Sequence, residues 1–79
     1  MVEIRLYTRK QCPLCQDAKE ILLQLQDDYT FELKEMDIEQ SDEWTEKYGL
    51  MIPVIEINRQ IVQYGNIDAF TICDYLSQN

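Results

Sequence analysis

Cys12 and Cys15, with Pro13 and Leu14 between them and Arg9 and Lys10 just ahead in "TRKQCPLCQDAK", are the side chains of this sequence best suited to covalent chemistry. Two cysteines at this spacing can supply half of a zinc site, staple a loop, or exchange electrons with another thiol pair. Four-coordinate zinc needs two further ligands, and the chain has no His and only one more cysteine, Cys73. One chain cannot close such a site, so no metal ligand is assigned within it. Two chains pooling their cysteines could, which leaves open a metal or iron–sulfur carrier bridged through Cys12, beside a purely structural pair.

Electron exchange needs a thiolate, and an ordinary thiol with a pKa of about 8.5 supplies little of it at neutral pH. Position is expected to help. A helix starting at Pro13 places the ring in the first turn, where a missing N–H does no harm, and puts Cys12 at the cap. Its sulfur would face the unpaired N–H groups of Leu14 and Cys15 and the positive end of the helix dipole. Arg9 and Lys10 would add positive charge in the same sense, unless they are a chance pair on a solvated loop. Cys12 would then attack a substrate disulfide, and the more sheltered Cys15 would attack the resulting mixed disulfide, leaving Cys12–Cys15 oxidised.

The elements that must position this pair follow from periodicity. Val2, Ile4 and Leu6 alternate with Glu3 and Arg5, which predicts a strand over residues 2–7. From Pro13 the apolar residues Leu14, Ala18, Ile21, Leu22 and Leu25 recur at helical intervals until "DDYT" ends the pattern. Residues 30–38 read as a second strand through Phe31 and Leu33, then Met36 and Ile38. Ser41 is placed to cap a short helix that Gly49 ends, with Trp44 as a partly buried packing residue. "LMIPVIEI" and "NRQIVQY" read as a hairpin turning near Asn58 and Arg59. The last segment, "GNIDAFTICDYLSQN", puts Ile67, Phe70 and Cys73, with Ala69, Ile72 and Leu76, on the apolar face of a final helix, where Cys73 is expected to act as a small buried hydrophobe. The predicted order is β-α-β-α-β-β-α, an α/β arrangement with a parallel opening pair, a closing antiparallel hairpin and helices on both faces.

Length and composition bound what such a unit can do. Seventy-nine residues suit one small domain. No apolar run approaches the roughly 18 residues that a membrane span requires, and "MVEIRLYT" does not read as an export signal. Three cysteines, an odd number with two of them only three positions apart, fit a reducing cytoplasm better than a secreted disulfide framework. Fifteen acidic residues against seven basic ones, a net charge of −8, argue against a nucleic-acid partner, because phosphate contacts need Lys and Arg. Nothing predicts a stable oligomer, and the expected state is a monomer.

With "LYTRKQCPLC" opening a helix after the first strand, "MIPVIEI" downstream and "GNID" before the last helix, the chain resembles the glutaredoxin family of the thioredoxin-like fold over nearly its whole length. The resemblance implies a single glutaredoxin-like domain over residues 1–79, with a four-stranded mixed sheet and three helices. It implies a cis bond at Ile52–Pro53 that turns the N–H and C=O of Ile52 toward the cysteine loop, where glutathione or an extended peptide can pair with them. Tyr7, Arg9, Gly65, Asn66 and Asp68 match positions that contact glutathione in the family, and Lys10 and Pro13 border Cys12 in the same set. Three positions depart from the family pattern: Met51 stands where Thr is usual, Tyr64 where the first of two glycines is usual, and Leu14 where an aromatic is common. These changes bear on glutathione preference and leave the exchange chemistry untouched.

The resemblance implies a small dithiol thiol–disulfide oxidoreductase that reduces protein or glutathione mixed disulfides. Electrons would come from glutathione as cosubstrate or from a thioredoxin-reductase-like flavoprotein, with no tightly bound cofactor. A redox-silent binding module, in which Cys12–Cys15 is only a local clamp, is the remaining alternative.

Overall fold

Alternation in "VEIRLYT" sends Ile4 and Leu6 to one face of a strand and Arg5 and Tyr7 to the other, and both faces are used. The computed structural model describes residues 2–78. Its elements are β1 (Val2–Thr8), α1 (Pro13–Leu25), β2 (Phe31–Asp37), a 3-10 turn (Ile38–Gln40), α2 (Asp42–Tyr48), β3 (Val54–Ile57), β4 (Gln60–Tyr64) and α3 (Ala69–Ser77). The strands lie in the order β2-β1-β3-β4, with β1 parallel to β2 and antiparallel to β3, and β3 antiparallel to β4. This is the mixed four-stranded sheet with three helices that the sequence implies. The short 3-10 turn was not foreseen; Asp37 caps it by accepting the Glu39 N–H at 2.9 Å.

The larger core lies where α1 and α3 cover the sheet. Ile4, Leu6, Phe31, Ile55 and Ile57 from the strands meet Ala18, Leu22 and Leu25 from α1 and Ile72 and Leu76 from α3. On the opposite face Tyr7, Ile38, Tyr48 and Val54 form a smaller core, with Trp44, Met36, Met51 and Ile52 packed around it. The Tyr7 ring lies 4.3 Å from that of Tyr48 and 5.7 Å, nearly perpendicular, from that of Trp44. Having only two turns, α2 cannot cover this whole face, and Glu3 occupies part of the remainder with Arg5 at 3.0 Å and Lys34 at 3.4 Å. The two cations hold the Glu3 carboxyl below its ordinary range, Arg5 being the larger influence.

Local capping agrees with the sequence. The Ser41 hydroxyl accepts the Trp44 N–H at 3.2 Å, and the Asp68 carboxylate accepts the Thr71 N–H at 2.8 Å. Asn58 and Arg59 take the left-handed conformation at φ 50° and 70°, which joins β3 to β4 through a two-residue turn. Asn58 also exchanges two bonds with Glu3: its N–H donates to the Glu3 carbonyl at 2.9 Å, and its side-chain oxygen accepts the Glu3 N–H at 3.1 Å.

Two expectations are corrected. Phe70 and Ala69, placed on the buried face by helical spacing, are exposed, Phe70 at 81%. Because α3 starts only at Ala69, its inward stripe is Ile72 and Leu76, and Phe70 falls on the outer side of the first turn. Gly49 ends α2 as expected, in a right-handed conformation with φ −55°. Cys73 is half-buried against the larger core rather than enclosed. The first correction is testable by denaturant unfolding: Ile72→Ala should cost about 2–5 kcal/mol, as cavity-forming core truncations do. Phe70→Ala should stay within about 0.5 kcal/mol of the parent, as for surface changes.

Candidate active site

β1 ends at Thr8, and the chain turns through Gln11, whose φ of 60° lies in the left-handed region. For a residue with a Cβ this costs on the order of 1 kcal/mol, which the surrounding structure must offset. The turn delivers Cys12 in extended conformation to the cap of α1, with Pro13 opening the helix as expected. The Cys12 carbonyl accepts the Gln16 N–H at 3.1 Å, and its sulfur accepts the Cys15 N–H at 3.2 Å. Of the two N–H groups expected to face the sulfur, Cys15's makes this contact.

Cys12 and Cys15 are joined as a disulfide, their Cα atoms 5.2 Å apart, a spacing at which such a bond forms readily. The two cysteines differ in access. Cys12 is half-buried, whereas Cys15 is 2% exposed. Pro13 and Leu14 between them are exposed. Arg9 and Lys10 are exposed too and form no ion pair with a carboxylate among the described residues.

Strand register brings the other candidate residues to the same end of the sheet. Tyr7, near the end of β1, pairs with Val54 at the start of β3, and Val54 pairs with Tyr64 at the end of β4. The Ile52–Pro53 peptide bond is cis, and the Gly65 N–H reaches the carbonyls of Met51 at 3.1 Å and Pro53 at 2.9 Å. Gly65 has φ 75°, with open space where a Cβ would stand, so backbone conformation rather than crowding calls for glycine there. Tyr64 beside it is 57% exposed.

Several site residues sit differently from expectation. Tyr7 is buried, at 3% exposure, in the aromatic cluster, where its ring packs with those of Trp44 and Tyr48. The Ile52 N–H, expected to face the cysteine loop, donates to the Tyr48 carbonyl at 3.1 Å and is thus committed to the end of α2. The Ile52 carbonyl has no such partner among the described residues. Gly65 and Asn66 precede α3 in a loop, because the helix begins later than "GNID" suggests. The Asp68 carboxylate is engaged within the protein: besides the Thr71 N–H it accepts the Thr71 hydroxyl at 3.0 Å and the Gln63 amide at 2.7 Å. These bonds, that of the Thr71 N–H foremost, hold its pKa below the ordinary 3.8.

Sequence reasoning missed two features. Glu56 is buried within β3 and accepts the Tyr48 hydroxyl at 3.2 Å, in a run, "VIEI", that reads as uniformly apolar apart from this residue. Burial raises the Tyr48 pKa, and the Lys47 ammonium lies 5.2 Å from its ring centre. The second is a cleft of about 170 Å³ that Cys15 lines together with Thr8, Gln16, Lys19, Glu35 and Asp37. The parallel register of β1 and β2, Thr8 beside Asp37, is the signal that could have placed those carboxylates there.

Comparison with known proteins agrees with this geometry. The profile of the family described as glutaredoxin-like domain (DUF836) matches residues 3–77. The chain is 34% identical over 73 residues to the "Glutaredoxin-like protein YDR286C homolog" of Dictyostelium discoideum, covering 85% of this chain and 68% of that one. Among solved structures, protein Ne2328 of Nitrosomonas europaea superposes with a TM-score of 0.83 at 26% identity, over 95% of this chain and 91% of that one. The structural-genomics target XcR50 from X. campestris gives 0.78 at 26% identity, over 96% and 97%. A variant thioredoxin from Halobacterium salinarum gives 0.74 at 16% identity, over 98% of this chain and 73% of that one, a likeness of fold alone.

The Asp68 cap yields a pH dependence of definite sign. Its folded pKa lies below the unfolded one, so its contribution to stability is present above about pH 4 and is lost as pH falls through the lowered folded value. Asp68→Asn keeps an acceptor for the Thr71 N–H but cannot titrate. In urea unfolding measured at a series of acidic pH values, the variant should show a shallower loss of stability than the parent.

Proposed function

Because the chain belongs to the family of glutaredoxin-like domains, we propose that it is a dithiol thiol–disulfide oxidoreductase working through Cys12 and Cys15. The observation that carries this reading is the asymmetry of the pair. Cys12 caps α1 with its sulfur on the Cys15 N–H, accessible from outside, while Cys15 is buried within disulfide reach.

In the reduced protein the Cys15 N–H and the positive end of α1 favour negative charge on the Cys12 sulfur. That thiolate attacks one sulfur of a substrate disulfide, forming a mixed disulfide and expelling the other substrate sulfur as a thiolate, which takes up a proton. Cys15 then loses its proton and attacks the Cys12 sulfur, so the Cys12–Cys15 bond forms and the second substrate thiol leaves. Two electrons pass from the dithiol to the substrate, and an external reductant restores the pair.

Glutathione or a thioredoxin-reductase-like flavoprotein would supply those electrons, and disulfide-bearing proteins or glutathione mixed disulfides would be the substrates. Arg9 and Lys10 would draw an anionic substrate group toward Cys12 on an otherwise acidic chain. Ile52, Pro53, Gly65 and Asn66 would border the bound chain, with the Ile52 carbonyl as the backbone acceptor on offer. The protein would act as a monomer in a reducing compartment such as the cytoplasm, with no resident cofactor. Among the described residues, no helix is long and apolar enough to cross a membrane.

Single-cysteine variants test the assignment. Cys12→Ser should abolish reduction of a glutathionylated peptide, and Cys15→Ser should accumulate a Cys12 adduct visible by intact mass. A Cys12→Ser protein that still turns over substrate would overturn the roles. Iron–sulfur colour after anaerobic purification, with no turnover by the parent, would replace the proposal with a carrier bridged through Cys12.

A further inference from the structure

β4 passes into α3 through a loop, residues 65–68, that is tied to the cysteine end of the sheet by the bonds of the Gly65 N–H to the carbonyls of Met51 and Pro53. At the end of this loop the exposed Asp68 caps α3. Its main-chain N–H and its carboxylate lie close enough together for a single side chain to reach both. A ligand that satisfied the two would have to bring an acceptor for the first and a donor for the second, as an amino-acid group does with its carboxylate and its ammonium.

Gln63 already meets both demands from within the chain. Its side-chain oxygen accepts the Asp68 N–H at 3.0 Å, and its side-chain nitrogen donates to Asp68 Oδ2 at 2.7 Å. Thr71 engages the same carboxylate, its N–H donating to Oδ1 at 2.8 Å and its hydroxyl to Oδ2 at 3.0 Å. Gln63 is half-buried and pairs with Ile55 in the β3–β4 ladder, so its amide is delivered by a strand and not by a free loop. An incoming amino-acid group would break this fork to make an equivalent one, and such an exchange of hydrogen bonds gains little net free energy.

What stays open at this end of the sheet suits a longer chain. The Ile52 carbonyl is on offer as a backbone acceptor, and Leu14 at the start of α1 and Tyr64 at the end of β4 are exposed. A polypeptide can reach these side chains on both sides of its disulfide. A tripeptide whose glutamyl end finds Asp68 occupied has no such second anchor.

Resting on the exchange function proposed above, we propose that Gln63 sets the substrate class of the site. By occupying Asp68 it excludes the glutamyl end of glutathione, so the cysteine pair exchanges with disulfides of polypeptides and meets glutathione only as an unspecific thiol. Gln63 does not touch the reacting sulfurs; it determines specificity through Asp68.

The test follows single turnovers of the reduced protein, in excess, on one peptide whose cysteine is capped either by glutathione or by N-acetyl-cysteinylglycine, which lacks the glutamyl head. The Cys12 thiolate bonds to the sulfur of the cap and expels the peptide thiolate, and Cys15 then displaces the cap as a second thiol, so no outside reductant is needed. Freed peptide is read by mass. The parent should release it from the two caps at rates within about threefold of each other. Gln63→Ala should speed release from the glutathione cap by about tenfold, the scale of one charge-assisted hydrogen bond, and leave the other cap unchanged. Gln63→Leu, which keeps the bulk of the side chain in the strand, should do the same, whereas a structural defect would slow both caps alike. A parent that prefers the glutathione cap by about tenfold or more, or variants that keep the parent's ratio, would overturn the role of Gln63 alone; no release from either cap by the parent would overturn the exchange function itself.

Discussion

The site depends on one short contact at a helix start, the Cys15 N–H donating to the Cys12 sulfur at 3.2 Å. An α-helix leaves its first N–H groups without intrahelical partners, and something must satisfy them. Here the capping atom is sulfur, so the group that completes the helix is also the one proposed to react. For this to work the chain must arrive at Cys12 in extended conformation and enter the helix at once. The left-handed Gln11 and the ring of Pro13 provide that sharp entry.

Everything that holds this entry in place lies one step back in the sheet. β1 is flanked by β2 and β3, so its C-terminal end is fixed from both sides. Beneath it, Tyr7 packs between Trp44 and Tyr48, and Tyr48 is anchored through its hydroxyl to the buried Glu56. That bond satisfies a buried carboxyl group, and removal of the hydroxyl would leave the acceptor without its donor. The short α2, which covers only the part of its face nearest the site, thereby gains a definite position. That position in turn commits the Ile52 N–H and pins the Pro53 loop, onto which Gly65 bonds from the other side.

Much of this was legible in the sequence because the relevant signals are local. Alternation marked β1, Pro13 marked the start of α1, Ser41 marked that of α2, and Asn58–Arg59 marked the hairpin turn. What was not legible depends on partners distant in sequence. Phe70 has the spacing of an inward residue, and only the late start of α3 turns it out. In β2 the apolar pattern changes face, Phe31 and Leu33 packing in the larger core while Met36 and the following Ile38 pack in the smaller one, so a single alternation does not run through residues 30–38. Glu56 reveals its burial only when Tyr48 is seen to meet it, and Asp37 reaches the cysteine cleft only through its parallel register with Thr8. In the site, the cap position of Cys12 and the burial of Cys15 could be read from motif and helix position, whereas Tyr7 and the Ile52 N–H could not be known to be engaged inward.

The most direct test of the account is whether the Cys12–Cys15 bond cycles. The protein would be equilibrated in a series of reduced and oxidised glutathione ratios, its thiols trapped by alkylation, and the state of the pair read by intact mass. The account predicts a single reversible transition between a disulfide and a dithiol form, with two electrons exchanged and Cys73 unchanged in both. A pair that stays in one state across the whole series would contradict it and return Cys12 and Cys15 to a structural or metal-binding role.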